Sequence, residues 1–269
     1  MVRGLYTAGW AMLVLNKKMD AIANNIANAD TAGFKRDVTG LQSFPEIMHV
    51  KVHDQQYRSH QQRIGNVNPS SEISVYQTDY QQGAIFQTWN ALDMAIGDSG
   101  AVGPEGERAA AFFVIGVPQG DGADDLRPLY TRDGGFKLGA DGYVATTEGH
   151  RLLGENGPIA LAHDEFLLTP DGTVIQDGAI VDRVLIVEFT NPSTLRKVGD
   201  NLFDITEGTN AAAFTGRVDQ GYIERSNVTV VREMVDLITV TRAYEANQKV
   251  IQVADETLSK AMGEMGIVR

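Results

Sequence analysis

The chain has 269 residues, 43% of them hydrophobic and 22% charged, the balance of a folded protein with room for one large domain or two smaller ones. A net charge of −12 with no Lys/Arg cluster argues against nucleic acid, and the absence of cysteine removes disulfide and thiol chemistry. No stretch reaches the ~20 apolar residues of a membrane-spanning helix.

At the N-terminus Leu5, Ala8, Met12, Leu15, Met19, Ile22, Ile26 and Ala29 are spaced alternately by three and four. That unbroken a/d seam predicts a long helix of the coiled-coil kind. Arg3 followed by Gly4–Leu15 has the outline of a signal-peptide core, but Lys17, Lys18 and Asp20 interrupt it and the seam runs straight through, so no cleaved leader is expected. Thr31-Ala32-Gly33 is a stop signal, with Gly33 free to take a positive φ. Asn24, Asn25 and Asn28 are mediocre helix formers beside the seam. They are expected to bond the backbone of neighbouring subunits and set register; local capping is the alternative.

Residues 34–75 are mixed and polar and predict an extended arm with short strands. His49 and His53 stand at i,i+4 with His60 beyond, but no apolar helical face supports a zinc set. From 76 to 216 turn dipeptides recur: Asp133-Gly134, Asp141-Gly142, Asn156-Gly157, Asp171-Gly172 and Asp177-Gly178. Between or beside them lie the apolar runs Phe112–Val117, Leu152–Leu153, Phe166–Leu168 and Val184–Phe189, the pattern of an antiparallel all-β domain. Gly97–Gly106 and Gly120–Asp125 read as loops. Gly97-Asp98-Ser99-Gly100 repeats the tetrapeptide around a serine-protease nucleophile, but no His and Asp are placed to complete a triad. Asp121, Asp124 and Asp125 lack the order of a calcium loop, and Gly97–Gly103 lacks the Lys-Ser/Thr of a phosphate loop. No catalytic residue, metal ligand or cofactor site is expected.

The helical period returns from Val228 to about Met262. Val230, Leu237, Val240, Tyr244, Ile251, Ala254, Leu258, Ala261 and Met265 form the seam, with Glu233 and Asn247 as polar interruptions and Val231, Val235 and Ile238 as a second row. Ser226 or Asn227 is the expected cap. Nine of the fourteen residues Val228–Thr241 are Val, Ile or Thr, so this half is a poor helix former that needs a partner surface. The fold class is therefore α+β: long N- and C-terminal coiled-coil helices, 1–33 and 217–269, packed together, with the arm 34–75 and the antiparallel β domain 76–216 inserted between them. Two stripes cover one another on one side only. The second row, with Trp10, Leu13 and Val14, is expected to stay wet in a monomer and so to mark an association surface.

Met19-Asp20-Ala21-Ile22-Ala23-Asn24-Asn25-Ile26-Ala27-Asn28-Ala29-Asp30-Thr31-Ala32-Gly33-Phe34-Lys35 resembles the N-terminal signature of bacterial flagellar rod and hook proteins. Gly221-Tyr222-Ile223-Glu224-Arg225-Ser226-Asn227-Val228, then Glu233-Met234-Val235, Ile238 and Arg242-Ala243-Tyr244-Glu245-Ala246-Asn247, resemble their C-terminal signature. Leu92–Ile96, Tyr130–Phe136 and Asp141-Gly142-Tyr143 are similar to the family's β domain. One departure stands out: Asp98–Ala111 separate Gly97 from Phe112-Phe113, where the family runs on directly, so a polar loop is inserted. The resemblance implies a structural subunit of the flagellar basal-body rod, proximal or distal, not an enzyme. It implies self-assembly through the terminal helices into the axial shaft that carries motor torque to the hook. Its partners would be further copies, other rod proteins, the hook protein and the export apparatus, with no membrane insertion. It implies a place in the basal body outside the cytoplasmic membrane, reached without a cleaved signal peptide. The assembly interface would then comprise Leu5, Met12, Leu15, Met19, Ile22, Asn24, Asn25, Ile26, Asn28, Val231, Val235, Ile238, Tyr244, Asn247, Ile251 and Leu258. The rival reading is an extracellular hydrolase, or a carbohydrate-binding or adhesin module, on the β domain.

Overall fold

A computed structural model describes residues 2–43, 47–51, 62–67, 71–104, 106–118, 126–199 and 201–265. Helix α1, Val2–Ala27, is followed by strands β1 Asp37–Ser43, β2 Ile47–Lys51, β3 Gln62–Val67 and β4 Ser71–Thr78. Next come β5 Ile85–Gln87, β6 Met94–Gly97, β7 Ala110–Pro118, β8 Leu126–Thr131, β9 Lys137–Leu138, β10 Val144–Ala145, β11 Arg151–Gly154 and β12 Gly157–Pro158. The series goes on through β13 Leu167–Leu168, β14 Thr173–Gln176, β15 Ala179–Arg183 and β16 Ile186–Phe189, then a 3-10 turn at Pro192–Thr194. It ends with β17 Arg196–Lys197, β18 Leu202–Asp204, β19 Ala211–Ala213, β20 Arg217–Gln220, β21 Tyr222–Glu224 and helix α2, Val230–Met265. The class is α+β, with one helix at each end. Among the described residues no helix is long and apolar enough to cross a membrane.

The chain divides into two compact units. The first combines Met1–Ile26, Asp37–Gln77 and Val230–Arg269, that is, both helices and the first strands. In it β1 pairs with β4, and β2 pairs antiparallel with β3. The arm expected over 34–75 is thus largely paired strand in its described part.

The second unit is Ala27–Arg36 with Thr78–Thr229. Its main sheet runs β17-β18-β8-β7-β11-β10-β9, with β16 on the other half of β7. Strand β7, Ala-Ala-Phe-Phe-Val-Ile-Gly-Val-Pro, is buried on both faces, which is why it is a continuous apolar run rather than an alternating one. Phe113 and Ile115 enter one core with Met94, Ile96, Phe136, Leu152 and Val174. Phe112 and Val114 point the other way, to Phe189, Phe203, Tyr130 and Leu195. The second core is aromatic: Phe112 and Phe203 centroids lie 5.2 Å apart, and Tyr130 meets Phe189 edge-on at 5.0 Å. Such pairs contribute about 0.5–1.5 kcal/mol each beyond their buried area.

Four of the five turn dipeptides join neighbouring strands. Asp177-Gly178 between β14 and β15 has positive φ at both positions, 53° and 78°, the conformation a tight hairpin needs. Asp133-Gly134 turns no hairpin, because the flanking β8 and β9 are not neighbours in the sheet.

Both ends of the β unit reach beyond the span 76–216. Residues 217–224, expected as the start of the terminal helix, are strands: β20 pairs with β6 and β21 with β5. Phe34 and Lys35, expected in the arm, are buried. Asn227, offered as a helix cap, donates to the Asp79 carbonyl at 2.8 Å and accepts from the Arg36 amide at 2.8 Å, so α2 starts three residues later.

Candidate assembly surface

The covered stripe of α2 repeats the seam read from the sequence. Val230, Glu233, Leu237, Val240, Tyr244, Asn247, Ile251, Ala254, Leu258 and Ala261 are buried or half-buried, while most of their neighbours are exposed. Glu233 and Val240 are buried outright; beyond Val240 no described residue of α2 is. The β-branched half of α2 keeps its helix partly by back-bonding. The Thr239 and Thr241 hydroxyls donate to the Val235 and Leu237 carbonyls at 2.9 and 2.8 Å. Asn247 does the same to the Ala243 carbonyl at 2.9 Å.

On α1, Ala8 and Ile22 are buried and Leu5, Met12, Leu15, Met19 and Ile26 are half-buried. Val14 is only 7% exposed, so it does not stay wet as the sequence suggested; it belongs with Ala11, Lys18, Ala21 and Asn25 to a second covered row one position round the helix. The uncovered apolar side chains include Tyr6, Trp10 and Leu13 on α1 and Val231, Met234, Val235 and Ile238 on α2, with Val250, Val253 and Met262 further along. They keep the three-and-four rhythm but face away from the covered stripes.

Among the described residues, polar contacts join the helices. The Thr241 hydroxyl lies 3.8 Å from Met19 Sδ, and Asn25 Nδ2 donates to Glu233 Oε2 at 3.4 Å. As the number rises along α1 it falls along α2, so the helices run antiparallel. Asn25 is buried and spent inside its own subunit. Its amide grips the backbone of Asp37 at the start of β1, donating to the carbonyl and accepting from the N–H, both at 2.9 Å. Asn24 is exposed, and Asn28 accepts from the Thr31 hydroxyl at 3.3 Å.

The β unit holds a buried charge network that sequence reasoning missed. Lys35 Nζ lies 2.7 Å from Glu224 Oε1, Arg132 Nε 2.5 Å from Glu224 Oε2, and Arg132 Nη1 2.7 Å from Asp98 Oδ1. Lys35 also donates to the Gln81 carbonyl at 2.8 Å, Arg132 to the carbonyls of Ala111 and Ile96, and the Gly83 amide to Glu224. Two cations face two carboxylates, so the cluster is neutral. Desolvation works against each charge, and the outcome differs by partner count. Burial lowers the Lys35 pKa, because one nearby carboxylate, opposed by Arg132, does not outweigh it. Burial would raise Glu224, but two adjacent cations hold its carboxyl below the ordinary range. Arg132 is raised, its two carboxylates outweighing desolvation. The three residues come from the exit of α1, the end of β8 and the approach to α2, and no local pattern links them. Gly33, one step before Phe34, takes φ +68° and donates to the Glu224 carbonyl at 2.8 Å, and a Cβ there would fall on the Arg132 backbone.

In its described residues the inserted segment is bonded as a hairpin rather than left as a solvated loop. Val102 bridges Arg108, Ser99 Oγ donates to the buried Glu188, and Glu107 Oε2 accepts from the Ser193 hydroxyl at 2.9 Å. Ser99 thus faces a carboxylate that also holds Thr215, not an imidazole. His49 lies in β2, a strand, where i,i+4 residues do not converge as on a helix. His53 and His60 fall outside the described residues, as do Asp121, Asp124 and Asp125. Among the described residues no group of three or more His, Asp or Glu could hold a metal.

Two terminal helices that leave apolar rows uncovered, with a β unit between them in sequence, are the arrangement the described residues present. The family model described as flagella basal body rod protein matches residues 5–35, and the one described as flagellar basal body rod FlgEFG protein C-terminal matches residues 219–264. The flagellar basal-body rod protein FlgG of Borreliella burgdorferi is 30% identical over 281 residues, covering 97% of this chain and 98% of that protein. FlgG of Agrobacterium fabrum is 31% identical over 276 residues, covering 96% and 97%. The flagellar hook-basal body complex protein FlhO of Bacillus subtilis is 28% identical over 278 residues, covering 99% of each. The chain belongs to the flagellar basal-body rod protein family.

Proposed function

We propose that this chain, a structural subunit of the flagellar basal-body rod, polymerises through its terminal helices. Helices α1 and α2 pack as a coiled coil in the core of the shaft, and the rows they leave uncovered are covered by neighbouring copies. The observation that carries this is the outward apolar row Val231, Met234, Val235 and Ile238, matched by Tyr6, Trp10 and Leu13. Fully burying a side chain of this size is worth about 1.5–3 kcal/mol, and a subunit with no neighbour leaves that unrealised. The shaft transmits torque to the hook, its ends meeting other rod proteins and the hook protein. The chain performs no catalysis. It works in the basal body outside the cytoplasmic membrane, delivered by the flagellar export apparatus.

Val235→Asp tests this. Val235 is 57% exposed, so the substitution leaves the isolated fold intact. In a packed shaft the same carboxylate must be desolvated, at several kcal/mol for every subunit. Complementation of a null strain should give the folded protein but no complete basal bodies and no swimming. Normal rods and motility would refute assembly through this row. Ile22→Asp, on a buried site, should instead destabilise the helical unit itself.

A further inference from the structure

The charge of the chain is not shared between its two units. Of its 23 Lys and Arg and 35 Asp and Glu, 11 and 11 fall in the helical unit, which is Met1–Ile26 with Asp37–Gln77 and Val230–Arg269. That unit is therefore neutral. The β unit holds the other 12 and 24, and with them the whole net charge of −12. In the helical unit the signs are interspersed: Arg232, Asp236, Arg242, Glu245 and Lys249 follow one another along the exposed side of α2.

In the β unit the surplus is at the surface. Lys35 and Arg132 balance Glu224 and Asp98 inside it, so the buried network adds nothing to the net charge. Asp141, Glu148, Asp164, Glu165, Asp177 and Glu207 are all exposed. The same unit leaves Phe86, Trp89, Leu167 and Ile180 uncovered, Trp89 to 84%. Apolar side chains that stand so far into water are points of misplaced adhesion between copies, and a large like charge on the same body opposes it.

We propose that the charge of the β unit directs assembly. It repels the β units of neighbouring copies, so that copies join through the neutral helical unit, and the salt concentration sets the threshold at which they do. The inference rests on the rod reading and adds to it the force that the helical contact must overcome. The chain is continuous at Ile26–Ala27 and Thr229–Val230, so every pair of helices brings one β unit into the assembly. A body of this size has a radius of gyration of about 15 Å, which puts the centres of adjacent β units roughly 30–40 Å apart. The Debye length is about 30 Å at ~0.01 M salt, comparable with that spacing, and about 8 Å at ~0.15 M, far shorter than it. Dilute salt thus leaves the repulsion standing and moderate salt removes it. The helical units carry equal numbers of each sign and have no net charge to repel with.

Light scattering of the full-length chain reads weak attraction between copies as well as polymers, and it tests this between about 0.01 and 0.15 M NaCl. The association constant of the wild type should rise at least about tenfold over that range. Two quadruple variants, all at exposed positions, locate the cause. Asp164→Asn, Glu165→Gln, Asp177→Asn and Glu207→Gln together remove a third of the surplus on the β unit. Repulsion between two such units goes as the product of their charges, so less than half remains and association should begin at lower salt. Arg232→Gln, Asp236→Asn, Glu245→Gln and Lys249→Gln remove as many charges from α2, two of each sign, and should leave the salt requirement where it was. A wild type indifferent to salt, or a β-unit variant that needs as much salt as the wild type, overturns the proposal. So does an α2 variant that shifts as far as the β-unit one, because salt would then be acting on the helical contact. Val235→Asp separates this from the rod reading: association that survives it at every salt defeats assembly through the helical row, whereas the order of the two quadruple variants bears on the charge alone.

Discussion

Glu224→Gln keeps the shape of the side chain and removes one charge from the buried network. The cluster then holds Lys35 and Arg132 against Asp98 alone, a net charge of +1 on groups that are almost fully buried. Breaking a buried pair in this way costs about 3–5 kcal/mol, because the remaining charge has lost both its partner and its water. For a unit of this size that is a fall of roughly 6–20 °C in melting temperature. Thermal unfolding followed by β circular dichroism reads it. Lys35→Met added to Glu224→Gln leaves Arg132 paired with Asp98, a balanced pair, so the double variant should be more stable than Glu224→Gln alone. The wild type should also carry an acid limb that the variant lacks. Glu224 titrates below its ordinary value near 4.5 in the folded chain, so its stabilisation is complete above that pH. It is lost as the pH falls through the depressed folded value, where the unfolded state has already taken up the proton. A loss below about 1 kcal/mol, the size of an exposed ion pair, would refute the reasoning.

Asn25→Ala removes the grip on both polar groups of Asp37 and should cost about 1–3 kcal/mol, read as faster amide exchange at Asp37. Asn25→Asp should be worse still, since it sets a carboxylate against Glu233; equal losses would remove that contact from the account. Gly33→Ala demands a positive φ of an L-residue and drives its Cβ into the Arg132 backbone, so it should cost more than about 1 kcal/mol, measured by urea unfolding; a neutral result would contradict the described approach.

The helical seams were legible because a stripe at alternating three and four is local: each position predicts the next. Val14 was misread because two covered rows on α1 make a stripe wider than one a/d seam. The strands of 217–224 were hidden because their partners, β5 and β6, lie more than a hundred residues earlier, and a short run such as Tyr222–Glu224 carries no period of its own. Lys35, Arg132 and Glu224 appeared in the family-like motifs, but single charged residues that far apart give no hint of meeting in a core. Asn25 was noticed for its chemistry, but its bond to Asp37 could not be read, since it depends on how the chain doubles back after α1.

The residues leaving α1 and those approaching α2 are fastened to each other: Gly33 to the Glu224 carbonyl, Lys35 to its carboxylate, Arg36 to Asn227. Loosening Glu224 therefore loosens the chain on its way out of α1 as well as on its way into α2.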